Sequence, residues 1–177
     1  MSDLAPVRVA TTDDAATIAA LSVQVFLDTY ATDGVRPDLA REAFEVYSVE
    51  AFAARLREPS RRFLLAEEGA ALLGFAEGLM TSRPAPAGSI VGAELVRLYV
   101  QPRFQRQGIG RGLLKQFEAA AEATGLPGAW LTAWERNDRA CRFYVAQGYE
   151  DVGATTYTFQ GNTYGNRVFA KRWNAMR

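Results

Sequence analysis

The sequence predicts a mixed α/β fold in a single domain, on three observations. The chain has 177 residues, which is enough for one domain with a sizeable core and too few for two ordinary ones. Strand-type and helix-type segments follow one another along it, with hairpins expected near both ends. At its centre, a strand-like run, a glycine-containing turn and a helix start succeed one another over residues 95–115. We expect a mixed, mostly antiparallel sheet of about seven strands flanked by helices.

Composition narrows the class of protein. Twenty basic and 20 acidic residues give a formal net charge of zero, so nothing in the balance suggests a nucleic-acid or membrane partner. No apolar run approaches the ~20 residues that span a bilayer, and the N-terminus lacks a signal-peptide layout. Cys141 is the only cysteine, which favours a reducing compartment and hence the cytoplasm. The absence of histidine excludes histidine-based nucleophile pairs and histidine metal sites, and we expect no metal.

The first half of the chain predicts one strand, three helices and a hairpin. The expected elements are a strand at 7–10, a helix from 11–14 to about 29–30, a helix beginning at Pro37, a helix at 49–57 capped by Ser48, and strands at 62–67 and 70–80 around a turn at 68–69. In the second helix, Leu39, Ala43, Phe44 and Tyr47 recur at helical spacing and predict an apolar stripe. Residues 81–92 are rich in proline and glycine and predict a loop.

The second half predicts the central unit, a further strand and helix, and a closing hairpin. The expected elements are a strand at 95–100 ended by Pro102, a helix from Ile109, a strand at 129–134, a helix at 138–147 ended by Gly148, and strands at 149–159 and 164–171 joined across 161–162. Ile109, Leu113, Leu114, Phe117, Ala120 and Ala121 form the apolar stripe of the central helix.

The junction between the central strand and its helix is a candidate anion site. A helix start leaves several main-chain N–H groups without intrahelical partners at the positive end of the helix dipole, where a pyrophosphate can bind. Gly108 and Gly110 have no Cβ and allow close approach, and Arg103, Arg106 and Arg111 add positive charge. The dinucleotide and P-loop fingerprints do not fit this segment.

The run Gln-Arg-Gln-Gly-Ile-Gly at 105–110 resembles the Q/R-x-x-G-x-G/A motif of the GCN5-related N-acetyltransferases (GNAT), which use acyl-CoA. A second run at 130–149 is similar to the strand, Asn, helix, Phe-Tyr and Gly-Tyr segment of that family, and the resemblance covers roughly residues 94–157. It implies one N-acetyltransferase domain over residues 1–177, with CoA in a splay between the fourth and fifth strands.

The resemblance also implies how acetyl-CoA is held. The pyrophosphate would lie on the main chain of the turn and helix start, at Gln105, Arg106, Gln107, Gly108, Ile109, Gly110, Arg111 and Gly112. The pantetheine amides would pair with the main chain of Leu98, Tyr99 and Val100, as an added strand does. Asn137 would hydrogen-bond the pantetheine or the adenosine end. Its alternative role is to cap the following helix, and both roles are compatible.

Three side chains are candidates for the chemistry. Tyr144 matches the tyrosine that protonates the CoA sulfur in the family, although a Phe-Tyr pair on a short helix can also be plain core. Glu94, placed just before the central strand, is the candidate general base, with Glu135 as the second choice; a solvated charge is the alternative for Glu94. Cys141 has no histidine partner, so we expect a buried, inert thiol and direct transfer.

The acceptor is the least determined feature. The resemblance to bacterial spermine/spermidine acetyltransferases of the PaiA type implies a polyamine-type primary amine. The candidates for a negative lining are Asp28, Asp33, Glu42 and Glu45, which could equally be solvated helix charges. A protein N-terminus or lysine is the alternative acceptor, and a non-catalytic acyl-CoA-binding module is the alternative function. Dimers are common in families of this kind, so the resemblance allows a homodimer.

Overall fold

The computed structural model describes residues 5–173. The helices are α1 (Ala15–Tyr30), α2 (Pro37–Glu45), α3 (Val49–Leu56), α4 (Ile109–Ala123) and α5 (Asp138–Ala146). The strands are β1 (Val7–Val9), β2 (Arg61–Glu68), β3 (Ala71–Pro84), β4 (Val91–Val100), β5 (Gly128–Trp134), β6 (Glu150–Phe159) and β7 (Asn162–Arg172). Short 3₁₀ turns precede α1 at Thr12–Asp14 and follow β4 at Pro102–Phe104.

The seven strands form one mixed sheet in the order β1-β2-β3-β4-β5-β7-β6. The β4–β5 pairing is parallel, whereas β1–β2, β5–β7 and β6–β7 are antiparallel. The predicted α/β fold with about seven strands is therefore confirmed. No helix in the described part of the chain has the length and apolar character needed to cross a membrane.

The chain packs as two compact units. The first contains the described residues up to Glu77 together with Arg97–Gln116, and the second contains Gly78–Val96 and the described residues from Phe117 onward. Strands β3 and β4 each contribute residues to both units. The core of the first unit includes an aromatic cluster in which Phe52, Phe63 and Phe75 pack within 6.3 Å of one another. In the second unit, the ring of Tyr144 packs against Tyr149 and Phe169.

The helix starts and most of the buried helix faces agree with the sequence predictions. The Ser48 hydroxyl caps α3 by accepting a hydrogen bond from the Ala51 N–H at 3.1 Å. The apolar stripe of α4 is buried at Ile109, Leu113, Leu114, Phe117 and Ala121. One member of the stripe predicted for α2 is wrong, because Phe44 is 76% exposed. The helix is only nine residues long, and its buried side is defined by Leu39, Glu42 and Ala43 instead.

Two predicted boundaries also differ from the structure. Residues 81–84 belong to β3 rather than to a loop, because pairing continues until Ala85 N–H donates to Ile90 O at 3.0 Å. Pro84 is tolerated as the last residue of that strand, where its missing N–H matters least. The closing hairpin turns at Gln160 and Gly161, one residue earlier than predicted. Both residues have positive φ, 47° and 78°, as a tight two-residue hairpin turn requires.

Candidate active site

The turn between β4 and α4 presents consecutive unpaired N–H groups. Arg106 and Gly108 adopt left-handed backbone conformations, with φ of 63° and 85°. The first intrahelical bond of α4 runs from Gly112 N–H to Gly108 O at 2.9 Å. Within the described residues, none of the main-chain N–H groups of residues 106–111 donates a hydrogen bond to the protein. Six adjacent donors at a helix N-terminus are suited to bind a polyanion.

Side chains hold this turn in place and add charge. The Gln105 amide donates to Val100 O at 3.2 Å and ties the turn to the end of β4. The Gln107 amide donates to Arg103 O at 3.4 Å. Exposed guanidinium groups surround the turn at Arg103, Arg106 and Arg111. The turn therefore combines free main-chain donors with positive charge within the first unit, and its role as an anion site stays a prediction.

The β4–β5 ladder is short. Only two register pairs join the strands among the described residues, Ala93 with Ala129 and Glu94 with Trp130. Beyond Glu94, residues 95–100 of β4 have no register partner in β5. The side chains of Leu98, Tyr99 and Val100 are half-buried by fractional exposure. On its other edge, β4 runs so close to β3 that a Cβ at Gly74 would lie 2.7 Å from Tyr99 O.

Tyr144 lies on α5 in the second unit, with its ring buried. Burial raises the pKa of the Tyr144 hydroxyl above its ordinary value, and the neighbouring Cys141 adds to this. No group of the described residues hydrogen-bonds this hydroxyl, and the oxygen is not sealed from the surface. Tyr144 is thus a protonated phenol whose O–H makes no hydrogen bond to the described residues. Its Phe143 neighbour packs edge-on at 5.3 Å, so the core role foreseen for the pair also holds.

Asn137 caps α5. Its side-chain oxygen accepts from Ala140 N–H at 3.1 Å, and its main-chain oxygen accepts from Cys141 N–H at 3.0 Å. The capping role is therefore confirmed. The side-chain NH₂ has no acceptor among the described residues, so the second role remains a prediction.

Glu94 lies inside β4 rather than before it, which corrects the predicted placement. The strand begins at Val91, so Glu94 is its fourth residue and pairs in register with Trp130. Its side chain is 23% exposed, and one carboxylate oxygen lies 3.7 Å from Arg83 Nε. The second choice, Glu135, is exposed just after β5, and a Cβ at Gly165 would lie 2.7 Å from its carboxylate. A side chain at position 165 would require the Glu135 carboxylate to shift.

Cys141 is half-buried on α5. Burial raises the pKa of its thiol, with further contributions from Asp138 and Asp151. The thiol lies 3.8 Å from Trp134 O. A thiol with a raised pKa is a poor nucleophile at neutral pH, which agrees with the expectation of an inert cysteine.

The four candidate carboxylates for an amine pocket differ in their surroundings. Asp28, Asp33 and Glu45 are exposed, whereas Glu42 is only 4% exposed. The strongest buried charge in the first unit is instead at Glu77, which the sequence reading did not select. Glu77 is fully buried and is paired with arginines from α3, β2 and β4. A lone glutamate within the apolar run of residues 72–80 was the available signal, since a buried carboxylate requires partners.

The predicted site residues fall into both units. Residues 98–112, which carry the proposed donor-binding main chain, belong to the first unit. Glu94, Asn137 and Tyr144 belong to the second unit.

Solved structures share this fold over nearly the whole chain. The PaiA N-acetyltransferase from Thermoplasma acidophilum in complex with coenzyme A superimposes with a TM-score of 0.78 at 22% identity, covering 95% of this chain and 98% of that one. NAA60 from Arabidopsis thaliana in complex with acetyl-CoA gives a TM-score of 0.69 at 15% identity, with 94% and 97% covered. The molecule thus has the α/β acetyltransferase fold.

Sequence comparison gives the family. The model of the acetyltransferase (GNAT) family matches residues 28–149. An uncharacterized N-acetyltransferase in the pepI 3′ region of Lactobacillus delbrueckii subsp. lactis is 23% identical over 129 residues, 73% of this chain and 75% of that protein. An uncharacterized N-acetyltransferase of Mycobacterium tuberculosis, Rv2669, is 31% identical over 106 residues, 60% of this chain and 64% of that protein. The chain belongs to the acetyltransferase (GNAT) family and is an N-acetyltransferase that uses acetyl-CoA.

Proposed function

We propose that this protein transfers the acetyl group of acetyl-CoA directly to a primary amine, and that both units act together as one N-acetyltransferase domain. The observation that carries the proposal is the row of free N–H groups at residues 106–111. CoA contains a diphosphate, and such a row can bind several of its oxygens at once. Strands β3 and β4 pass through both units, which supports a single functional domain.

Strand β4 would bind the pantetheine arm of acetyl-CoA, the acetyl donor. The pantetheine arm of CoA carries amide groups that can bond to a strand that lacks a neighbour. The two-pair β4–β5 ladder supports this role for the main chain of Leu98, Tyr99 and Val100. Asn137 would contribute its free side-chain NH₂ to the same ligand while it caps α5.

Tyr144 would then protonate the departing thiolate. Acetyl transfer joins the amine nitrogen to the acetyl carbon and breaks the bond between that carbon and the CoA sulfur. The thiolate must then receive a proton, and the protonated hydroxyl of Tyr144, which no described residue hydrogen-bonds, supports that role. Cys141 takes no part, and no acyl-cysteine intermediate forms.

Glu94 would accept the proton of the incoming ammonium, directly or through water. An alkylammonium has a pKa near 10, so the reactive free amine is scarce at neutral pH. In Glu94→Gln we expect kcat/KM for the amine to fall about 100-fold at pH 7, and the deficit to shrink as the pH approaches 10. Solvent alone supplies free amine at the higher pH. Rate profiles for wild type, Glu94→Gln and Glu135→Gln between pH 6 and 10 measure this. A profile for Glu94→Gln that parallels wild type at every pH removes Glu94 from the mechanism.

The acceptor is tested by a panel of amines. The sequence favours a polyamine, and the exposed carboxylates of Asp28, Asp33 and Glu45 support an attraction for cations. We therefore include spermidine, amino acids and their amides, and peptides with a free N-terminus or a lysine. CoA release from acetyl-CoA, followed with a thiol reagent, should require one of these amines. Tight CoA binding without release in the presence of any amine would favour the non-catalytic acyl-CoA-binding module instead.

A further inference from the structure

A charged cluster lies inside the first unit, centred on Glu77 of β3. Its carboxylate accepts hydrogen bonds from Arg61 Nη1, at 2.6 Å, and from Arg97 Nη1, and Arg55 Nη1 lies 3.9 Å away. We call Glu77, Arg55, Arg61 and Arg97 the Glu77 cluster. The three guanidinium side chains are between 13% and 19% exposed, and Glu77 is fully buried.

The Glu77 cluster contains more positive than negative charge. Arg61 also pairs with Glu58 at 2.6 Å, so three guanidinium groups face two carboxylates and one positive charge is left over. A largely buried charge without a counter-ion is costly. Burial and then the charge of Arg97 lower the pKa of Arg55, whereas Glu77 raises the pKa of Arg97 in spite of its burial. A bound anion would balance the leftover positive charge.

Arg97 is the member of the cluster in which two adjacent donor atoms make no hydrogen bond to the described residues. Arg55 donates its Nε to Ala51 O at 3.1 Å and its Nη2 to Val46 O at 2.5 Å. Arg97 donates only its Nη1 atom, to Glu77, so its Nε and Nη2 atoms have no partner among the described residues. Neither of these atoms is sealed from the surface. They form one edge of the guanidinium, which can bind both oxygens of a carboxylate at once.

Other arginines of the same chain use this edge for carboxylates. The Nε and Nη2 atoms of Arg8 bind the two oxygens of Glu67, each at 2.7 Å. Arg167 binds Asp151 in the same way at 2.8 and 2.6 Å. The corresponding edge of Arg97 has the same donor geometry, and no carboxylate of the described residues binds it.

The surroundings of Arg97 suit a small organic anion. Its guanidinium carbon lies 5.3 Å from the centre of the Tyr47 ring, and the Tyr47 and Tyr99 hydroxyls are 3.2 Å apart. Burial raises the pKa of Tyr99 well above its ordinary value, so its hydroxyl stays protonated and adds no negative charge. Arg97 also directly precedes Leu98, where the proposed pantetheine-binding main chain begins.

We propose that the Nε and Nη2 edge of Arg97 binds a carboxylate of the acceptor, so that the acceptor is a primary amine that also carries a carboxylate. This inference rests on the proposed acetyl transfer to an amine. A polyamine offers only positive charges to the Glu77 cluster, which would repel them.

Matched pairs of acceptors test the proposal. In each pair, 4-aminobutyrate with 4-aminobutanamide and lysine with lysinamide, the molecules differ in a carboxylate or a neutral amide. We expect wild type to have a kcat/KM at least about tenfold higher for the acid, and Arg97→Gln to lose this preference by losing activity toward the acid alone. The matched control is Arg62→Gln, since Arg62 is exposed on β2 and outside the Glu77 cluster; it should keep the wild-type preference.

A second variant controls for loss of folding caused by the unbalanced charge in Arg97→Gln. Arg97→Gln leaves Glu77 with one fewer counter-charge, whereas Glu77→Gln combined with Arg97→Gln removes one charge of each sign. Both are checked by circular dichroism and by CoA affinity, which should stay near the wild-type value. Equal rates for acid and amide in wild type, or a preference for the acid that survives in a folded Arg97 variant, would overturn the proposal. The proposal would also be overturned if an Arg97 variant lost CoA affinity but kept the preference for the acid over the amide, because this edge of Arg97 would then bind the cosubstrate.

Failure of the proposed acetyl transfer can be distinguished from failure of the Arg97 proposal. If no amine of any kind is acetylated, the proposal of acetyl transfer to an amine is wrong. Calorimetry with 4-aminobutyrate and 4-aminobutanamide then decides the role of Arg97 separately, with tighter binding of the acid to wild type than to Arg97→Gln as the supporting result. Equal binding of the two molecules to wild type would overturn it.

Discussion

Tyr144→Phe is expected to lower kcat by about 100- to 1,000-fold while the Kd for CoA changes less than about twofold. The substitution removes only the hydroxyl, and the ring keeps its packing against Tyr149 and Phe169. Because burial already raises the pKa of Tyr144, the wild-type hydroxyl stays protonated across the neutral and mildly alkaline range. Its ionisation should therefore cause no fall in the wild-type rate below about pH 10. Steady-state kinetics from pH 6 to 10 and calorimetry with CoA measure both parts.

Tyr149→Phe is the matched control for this experiment. The Tyr149 ring lies 6.0 Å from the Tyr144 ring in the same cluster, and its buried hydroxyl has Glu118 as its neighbour. Removal of that hydroxyl should leave kcat unchanged. A wild-type rate in Tyr144→Phe would exclude the acid role. An equal loss of kcat in both variants would indicate a packing effect.

Gly110→Val is expected to raise the Kd for CoA at least about 100-fold. Side chains on a helix lean toward its N-terminus, so a valine at position 110 would cover the N–H groups of the preceding turn. Loss of two or more charge-assisted hydrogen bonds, each about 1.5–3 kcal/mol, accounts for a change of this size. Gly110 has no positive φ, and valine is a better helix former than glycine, so the fold should persist. Calorimetry with CoA and a thermal melt measure the two effects.

Ala119→Val in the same helix controls for the change in helix composition. Ala119 is exposed in α4 and distant in sequence from the turn, so CoA affinity should stay at the wild-type value. Wild-type affinity in a folded Gly110→Val would remove the argument that the turn binds the diphosphate.

The elements that the sequence predicted well have local causes. The caps at Ser48 and Asn137, the apolar stripe of α4 and the glycine after α5 depend on residues a few positions apart. The turn at 105–110 could be predicted equally well, because the glycines lie next to the point where the sequence changes from strand to helix periodicity. The motif and the structure agree there.

The features that escaped prediction depend on partners distant in sequence. Glu77 meets Arg61 and Arg97 only after β2, β3 and β4 have aligned, with separations of 16 and 20 residues. Glu94 was placed outside its strand because β4 begins at Val91, directly after Ile90 accepts a hydrogen bond from Ala85, and the sequence pattern did not show this start. Phe44 was assigned to the buried stripe of α2 because it is apolar, but this nine-residue helix buries only the face that carries Leu39, Glu42 and Ala43. None of these three features produces a periodic pattern of apolar residues in the sequence.

A crystal structure of the protein grown with CoA would show whether the turn at residues 106–111 binds the diphosphate. We expect pyrophosphate oxygens within about 3.2 Å of main-chain nitrogens between residues 106 and 111, with the pantetheine alongside residues 98–100. A CoA molecule whose pyrophosphate is bound away from this turn would contradict this expectation.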